Sequence, residues 1–183
     1  MIYGNPNEMA ILVEPIIEWS DDTFTNGLFF IFLKGEMFPS SKNYKISTLN
    51  LDICDFKSEI LQKPRDNKEY FFASKQDFFK KAISMSFPLE IYSDCNGDFA
   101  EDLFIEDYSY VLMIDSLIES SCYICIVGYK DQVRIVAAET SYLTENDDGN
   151  KEWKKYDNPS IYELFLRKSE FCQLIMSLGL ATK

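Results

Sequence analysis

Asn26-Gly27-Leu28-Phe29-Phe30-Ile31-Phe32-Leu33-Lys34-Gly35 decides how the rest of the chain is read. Asn26-Gly27 opens the stretch with turn residues, and Lys34-Gly35-Glu36 turns the chain back at its far end. Between them, Leu28, Phe30 and Phe32 fall on one face of a strand and Phe29, Ile31 and Leu33 on the other. A strand apolar on both faces reads as central and covered on both sides. Upstream, Met9, Ile11 and Val13 alternate in a second strand over Met9–Ile17. Pro15 deletes a ladder donor and so puts that strand near an edge or a bulge. Downstream, Pro39 ends the return segment.

Three amphipathic helices follow from apolar spacing. Asn50–Gln62 places Ile53, Phe56 and Ile60 on one stripe, and Pro64 stops it. Ser74-Lys75-Gln76-Asp77 has the form of a capping box, with Phe78, Phe79, Ala82 and Ile83 as the buried stripe behind it. A third helix is expected from Asn158-Pro159 or Ser160 onward. Its apolar face would carry Ile161, Leu164, Phe165, Phe171, Cys172, Ile175 and Met176, with Gly179 as its stop. Cys122–Val127 and Val133–Ala138 read as a hairpin joined through Gly128–Gln132, and Tyr108–Ile114 as a strand leading into it. Glu145–Asn150 reads as a solvated loop. The order predicts a single α+β domain over residues 1–183, a largely antiparallel sheet with about three helices packed on it.

Composition narrows the function. The 183 residues are 46% hydrophobic and 15% aromatic, enough for a core without disulfide or metal staples. There is no histidine, which removes His-based triads and His-ligated zinc. No glycine-rich phosphate loop is present, neither Walker A nor Gly-x-Gly-x-x-Gly. No cofactor and no metal site are therefore expected. The five cysteines (Cys54, Cys95, Cys122, Cys125, Cys172) have no framework spacing and read as reduced thiols. The start, Met1-Ile2-Tyr3-Gly4-Asn5-Pro6, lacks a basic n-region, and Met9–Val13 is too short for a membrane span. A cytoplasmic location is expected, with neither nucleic acid nor membrane as partner, because a net charge of −12 repels both.

Three fragments invite a catalytic or metal reading, and each has a plainer one. Cys122-Tyr123-Ile124-Cys125 has redox or zinc spacing, but residues three apart on a strand point to opposite faces. Asp94-Cys95-Asn96-Gly97-Asp98 begins like a calcium loop, yet Phe99 stands where the turn glycine belongs and Ile105 at the twelfth position. Glu14, Glu18 and Trp19 could line a carboxylate pocket, or form an outward strand face beside one packed aromatic.

Charge is segregated along the chain. Ala82–Tyr129 contains nine acidic residues and no Lys or Arg. Glu8, Glu14, Glu18, Asp21 and Asp22 form a second acidic block ahead of Lys34, the first basic residue. Such segregation steers a basic partner; its plain alternative is a solvated acidic loop. The expected partner-binding residues are Asp94, Asp98, Glu101, Asp102, Glu106, Asp107, Asp115 and Glu119, with Tyr92, Phe99, Phe104 and Tyr108 as apolar anchors.

The residues Ile2-Tyr3-Gly4-Asn5-Pro6, Met9-Ala10-Ile11 with Glu14 and Trp19, Asn26-Gly27-Leu28-Phe29, Gly35-Glu36-Met37-Phe38-Pro39, Thr48-Leu49 and Val133-Arg134-Ile135 resemble, in that order, the immunity protein 42 family of bacterial polymorphic-toxin and contact-dependent inhibition systems. The resemblance implies an inhibitor encoded beside a secreted toxin, which binds that toxin's C-terminal domain in the cytoplasm and blocks its active site. Many such toxins are nucleases with basic clefts, to which an acidic inhibitor is electrostatically suited. The family carries no catalytic residues to transfer. Two other readings stand beside it: a hydrolase using a carboxylate pair among Glu14, Glu18, Asp21 and Asp22, and an acidic adaptor for some other basic protein. The sequence does not set the oligomeric state.

Overall fold

A computed structural model describes residues 1–62, 64–87, 107–146 and 148–179 of the chain. Its strands are β1 (Ile2–Gly4), β2 (Met9–Pro15), β3 (Asn26–Leu33), β4 (Glu36–Phe38), β5 (Ser47–Thr48), β6 (Cys122–Tyr129), β7 (Gln132–Glu139), β8 (Ser141–Glu145), β9 (Lys151–Lys155) and β10 (Tyr162–Arg167). Its helices are α1 (Leu49–Gln62), α2 (Lys68–Phe72), α3 (Lys75–Ser86), α4 (Asp115–Ile118) and α5 (Lys168–Ser177). One sheet runs β1-β2-β3-β4 with β5 also on β3; a second runs β10-β7-β6; β8 and β9 form a separate hairpin. The pairing of these strands is antiparallel throughout, so the fold is α+β.

β3 is the middle of the first sheet, as its sequence predicts. Lys34 and Gly35 turn it into β4 with φ of +52° and +88°, the left-handed pair that a two-residue hairpin requires. β2 is not an edge strand, because β1 pairs with it through Ile2↔Leu12, Tyr3↔Ile11 and Gly4↔Ala10. Pro15 is tolerated at its last position. The Val13 N–H donates to the Met1 carbonyl at 2.8 Å, and the Pro15 nitrogen points to the same side, past the end of β1 pairing.

The layer buried on both faces is the β6–β7 hairpin rather than β3. Cys122, Ile124, Ile126, Val133, Ile135 and Ala137 join one core with Phe29, Ile31 and Leu33 of β3, the α1 stripe Ile53, Phe56 and Ile60, and Phe171 and Ile175 of α5. Tyr123, Cys125, Val127, Val136 and Ala138 join a second core with Phe71 of α2 and the α3 stripe Phe78, Phe79, Ala82 and Ile83. Both helical stripes are thus buried as the spacing predicts, and the Ser74 hydroxyl caps α3 by accepting the Asp77 N–H at 3.0 Å. Cys122 and Cys125 lie in different cores, which bears out the opposed-face reading. On β3 the expectation of cover on both sides fails. Leu28, Phe30 and Phe32 belong to neither core.

Arg134 interrupts the second core and is satisfied there. It is 2% exposed. Its Nε donates to Glu163 Oε1 at 2.7 Å, and its Nη1 donates to the Tyr70 and Phe71 carbonyls at 2.7 and 3.0 Å.

The expected third helix is half strand. Tyr162, Leu164 and Leu166 alternate inward on β10 while Phe165 points out, and helical geometry begins only at Lys168. Cys172 and Met176 are exposed, so the buried stripe of α5 reduces to Phe171 and Ile175. The helix is left through Leu178 in an extended conformation, and Gly179 is not a left-handed cap. Tyr108–Ile114 is no full strand: it adds one bridge, Val111↔Cys125, and two backbone hydrogen bonds to the outer edge of β6. Glu145–Asn150 spans the exposed tip of β8–β9, a hairpin the sequence reading did not anticipate.

Phe29→Ala should cost about 3–5 kcal/mol by thermal or urea unfolding, since Phe29 is packed in the first core against Phe56 at 5.9 Å. Phe30→Ala should cost less, about 2–3 kcal/mol, because it lies outside both cores with the exposed Tyr44 ring against it. Glu145→Ala should stay within about 0.5 kcal/mol. Equal melting temperatures for Phe29→Ala and Phe30→Ala would contradict the one-sided burial of β3. Thiol labelling tests the core from another side. Burial pushes the Cys122 thiol well up, so in native protein Cys54 and Cys172 should react with a maleimide while Cys122 and Cys125 stay protected. After denaturation without reductant all five thiols should react, and a mass two hydrogens short of the fully reduced value would contradict this.

Candidate functional site

Asp94, Asp98, Glu101, Asp102 and Glu106 lie outside the described residues, as do the calcium-like start at Asp94 and the anchors Tyr92, Phe99 and Phe104. The remaining expected partner residues, Asp107, Asp115 and Glu119, are described. Asp107 is half-buried at the end of α3: its N–H donates to the Met85 carbonyl, and its carboxylate accepts the Ser109 N–H at 2.9 Å. Asp115 and Glu119 are exposed at the two ends of α4. Between them the chain runs along the β6 edge, which carries it from the α3 layer to the neighbourhood of α1.

The first acidic block sits beside a surface that the sequence reading did not single out. Strand pairing puts Ile2, Leu12 and Phe30 in one row on the outer face of the first sheet, Ala10, Phe32 and Met37 in a second, and Glu14 across from Leu28 in a third. Ile2 is 55% exposed and Leu12, Leu28, Phe32 and Met37 are half-buried, while Ala10 is fully buried and Phe30 is closed over by the Tyr44 ring at 5.8 Å. The sequence did hold the signal. A strand apolar on both faces implies cover on both, and the described residues supply a core on one.

The β2–β3 connection at the end of this face is tightly tied. Asn26 Nδ2 donates to the Trp19 carbonyl at 2.6 Å, the Ser20 hydroxyl to the Ile16 carbonyl at 2.8 Å, and Leu49 N–H to the Thr25 carbonyl at 2.7 Å. Held this way, Ile17, Trp19 and Phe24 stand in solvent at 68%, 40% and 41% exposure. Trp19 is therefore not the packed aromatic expected from sequence. Asp21 accepts the Thr23 and Phe24 N–H groups, and the Phe24 hydrogen bond above all holds its carboxyl below the ordinary range. Glu14 accepts from the N-terminal ammonium at 2.9 Å. Glu14, Glu18, Asp21 and Asp22 are all exposed. A groove of about 460 Å³ between β1 and β10 does carry Glu8 and Glu170, but Arg167 binds Glu170 and holds its carboxyl low. Among the described residues no three Cys, Asp or Glu side chains are grouped to hold a metal ion. No described helix is long and apolar enough to cross a membrane.

One carboxylate is pushed the other way. Asp52 faces inward from α1, where its Oδ2 accepts the Ser47 and Ser116 hydroxyls, each at 2.5 Å. Burial raises its pKa, the two hydroxyls oppose the rise, and the charges of Asp115 and Asp55 add to it. This cluster joins β5, α1 and α4, and it brings Asp115 of the long acidic stretch to the α1 end that the β2–β3 connection also touches.

The profile of the immunity protein 42 family matches residues 1–179. This chain belongs to that family. A crystal structure of CdiI from Burkholderia dolosa AUO158 shares the fold, with a TM-score of 0.65 over 96% of each chain at 19% sequence identity. No curated protein matches the sequence. Membership in the immunity protein 42 family fits the resemblance carried by the short motifs, and its span includes the acidic stretch and the segment after Tyr142.

Asp52→Ala should cost about 2–3 kcal/mol, since it strips two buried hydroxyls of their acceptor. The pH dependence of Asp52 runs opposite to that of a salt-bridged carboxylate. Its folded pKa is raised, so the folded state holds the proton more tightly than the unfolded chain, whose value is near 3.8. Its contribution favours folding most below that value and is lost as pH rises through the folded pKa. Asp52→Asn keeps an oxygen for both hydroxyls and removes the titration. The stability of Asp52→Asn minus that of wild type should therefore grow from about pH 4 to pH 7 in urea melts. A constant difference would show that Asp52 is not raised.

Proposed function

We propose that this chain is a cytoplasmic immunity protein that neutralises the C-terminal domain of a cognate secreted toxin by covering its active site. It acts as an inhibitor and not as a catalyst. The observation that carries this reading is the family match over residues 1–179, joined to a net charge of −12 and to two acidic blocks free of Lys and Arg. A nuclease toxin suits that charge, because a cleft that binds phosphates is basic. The carboxylates Asp94, Asp98, Glu101, Asp102, Glu106, Asp107, Asp115 and Glu119 then serve as the field that draws the toxin in. Charges at a rim act mainly on association rate. The exposed placement of Glu14, Glu18, Asp21 and Asp22 gives the hydrolase reading no comparable support.

Co-expression with the toxin domain encoded beside it should restore growth, and the two should co-purify. Association of the wild-type pair should slow as salt rises from about 0.05 to 0.5 M, through screening. Reversal of Asp98, Glu101 and Asp102 to Lys should slow association and flatten that salt dependence, with little change in melting temperature. Unchanged kinetics and unchanged protection in a folded triple variant would remove the long acidic stretch from the binding mechanism.

A further inference from the structure

Among the described residues, no packed core lies against the apolar face of the first sheet, although the Tyr44 ring closes over Phe30. Leu12, Leu28 and Phe32 belong to neither core, and Ile2 beside them is more than half exposed. The described helices are committed elsewhere: α1 and α5 to the first core, α2 and α3 to the second, and α4 to the Asp52 cluster. A partly open sheet face lined by Leu, Ile and Phe has the composition of an interface centre rather than of a solvated surface.

We infer that this outer face of β1–β4 is the anchoring surface for the toxin, which would lay a basic surface with an apolar centre across Ile2, Leu12, Leu28 and Phe32. The inference rests on the toxin-neutralising reading above. The choice of a basic partner comes from charge. Residues 1–33, which build β1, β2, the connection and β3, contain five acidic residues and no Lys or Arg. Four of the five, Glu14, Glu18, Asp21 and Asp22, stand at the end of the face beside exposed Ile17 and Phe24. Lys45, on the loop after β4, is turned to the Trp153 ring at 5.7 Å. A second copy of this chain, packed face to face about a two-fold axis, would set that acidic end against its own copy or leave it unmatched. A basic partner neutralises it.

The experiment immobilises the purified toxin domain encoded beside this chain and reads association and dissociation separately. Leu12→Thr with Phe32→Thr keeps residues suited to strands while removing the apolar surface, and Ile2→Lys alters one half-exposed side chain at the margin, so that folding is not at stake. Phe72→Thr, at a 65% exposed ring on α2, serves as control. The double variant should dissociate at least about tenfold faster, with association within about twofold of wild type, and lose toxin protection. Ile2→Lys should dissociate at least about threefold faster, and Phe72→Thr should match wild type. Circular dichroism establishes that each variant is folded; if the double variant is not, Ile2→Lys decides. Dissociation unchanged in folded variants overturns the anchoring surface while leaving the toxin-neutralising reading intact. A wild-type protein that fails to bind the toxin overturns that reading and this inference with it. A wild-type dimer that the variants dissolve, with toxin binding untouched, assigns the face to self-association and also overturns the inference.

Discussion

A buried guanidinium dictates how the layers of this protein stack. Arg134 stands on β7 among Val136, Ala138 and the rings of Phe78 and Phe165, which lie 5.4 and 5.7 Å from its carbon. A charge in such a place is tolerated only when paired and hydrogen-bonded. Glu163 on β10 supplies the opposite charge, and the carbonyls at the end of α2 take two of its protons. Those carbonyls belong to the last turn of a five-residue helix, where no intrahelical donor is available. A helix that short has no stability of its own. Arg134 thus seats α2 on β7 and, through Glu163, favours the β10 register that puts Glu163 across from Val136. Once α2 and α3 cover the second face of β6–β7, and α1 and α5 fill the first core, no described helix remains for the outer face of the first sheet. Leu12, Leu28 and Phe32 are left half-buried and outside both cores.

The parts of the fold legible in the sequence are those where one local signal dominates. Ile53, Phe56 and Ile60 have a helical spacing ended by Pro64, Ser74 caps the next helix, and Lys34-Gly35 satisfies a two-residue turn. Each expectation holds because nothing distant competes with it. The misreadings arise where a distant partner decides. Tyr162–Arg167 contains Leu164 and Phe165, neighbours that suit a helix stripe in isolation, but β7 offers an open edge and the segment pairs with it over six residues. Pro15 suggested an edge because β1 is three residues long and too short to read as a strand. Tyr108–Ile114 has strand composition but lies on β6 through a single bridge before α4 turns it away.

The candidate site was legible in part, and for a similar reason. Charge segregation is a property of the sequence and needs no fold to be seen. What sequence cannot show is which charges share a surface: Asp107 is held against α3 and Asp115 beside α1, eight positions apart along the β6 edge. Two apolar faces are legible in the ten residues from Asn26 to Gly35, but not whether a core covers both. Periodicity tells which side chains share a face, and only the inventory of packed elements tells whether anything covers it. Val133-Arg134-Ile135, one of the short motifs behind the family resemblance, proves to be the structural anchor and not part of a binding surface.

Magnitudes separate the tasks that the acidic blocks and the apolar face could perform. An exposed ion pair contributes about 0–1 kcal/mol and weakens with salt, so carboxylates on solvated loops cannot by themselves hold a complex. Nanomolar affinity corresponds to about 12 kcal/mol, and must be reached after the loss of translational and rotational freedom has been offset. Burying one Leu or Phe side chain contributes about 1.5–3 kcal/mol, which makes a face with several of them the stronger source of residence time. Glu14, Glu18, Asp21 and Asp22 at its margin would then speed encounter and orient the partner, while the sheet determines how long the partner stays. An inhibitor needs both: fast capture, because a toxin acts catalytically until covered, and slow release, because every dissociation returns an active molecule to the cell. Carboxylates at one end of a sheet face and apolar side chains along it would place those two requirements on physically different groups, which substitution can alter independently.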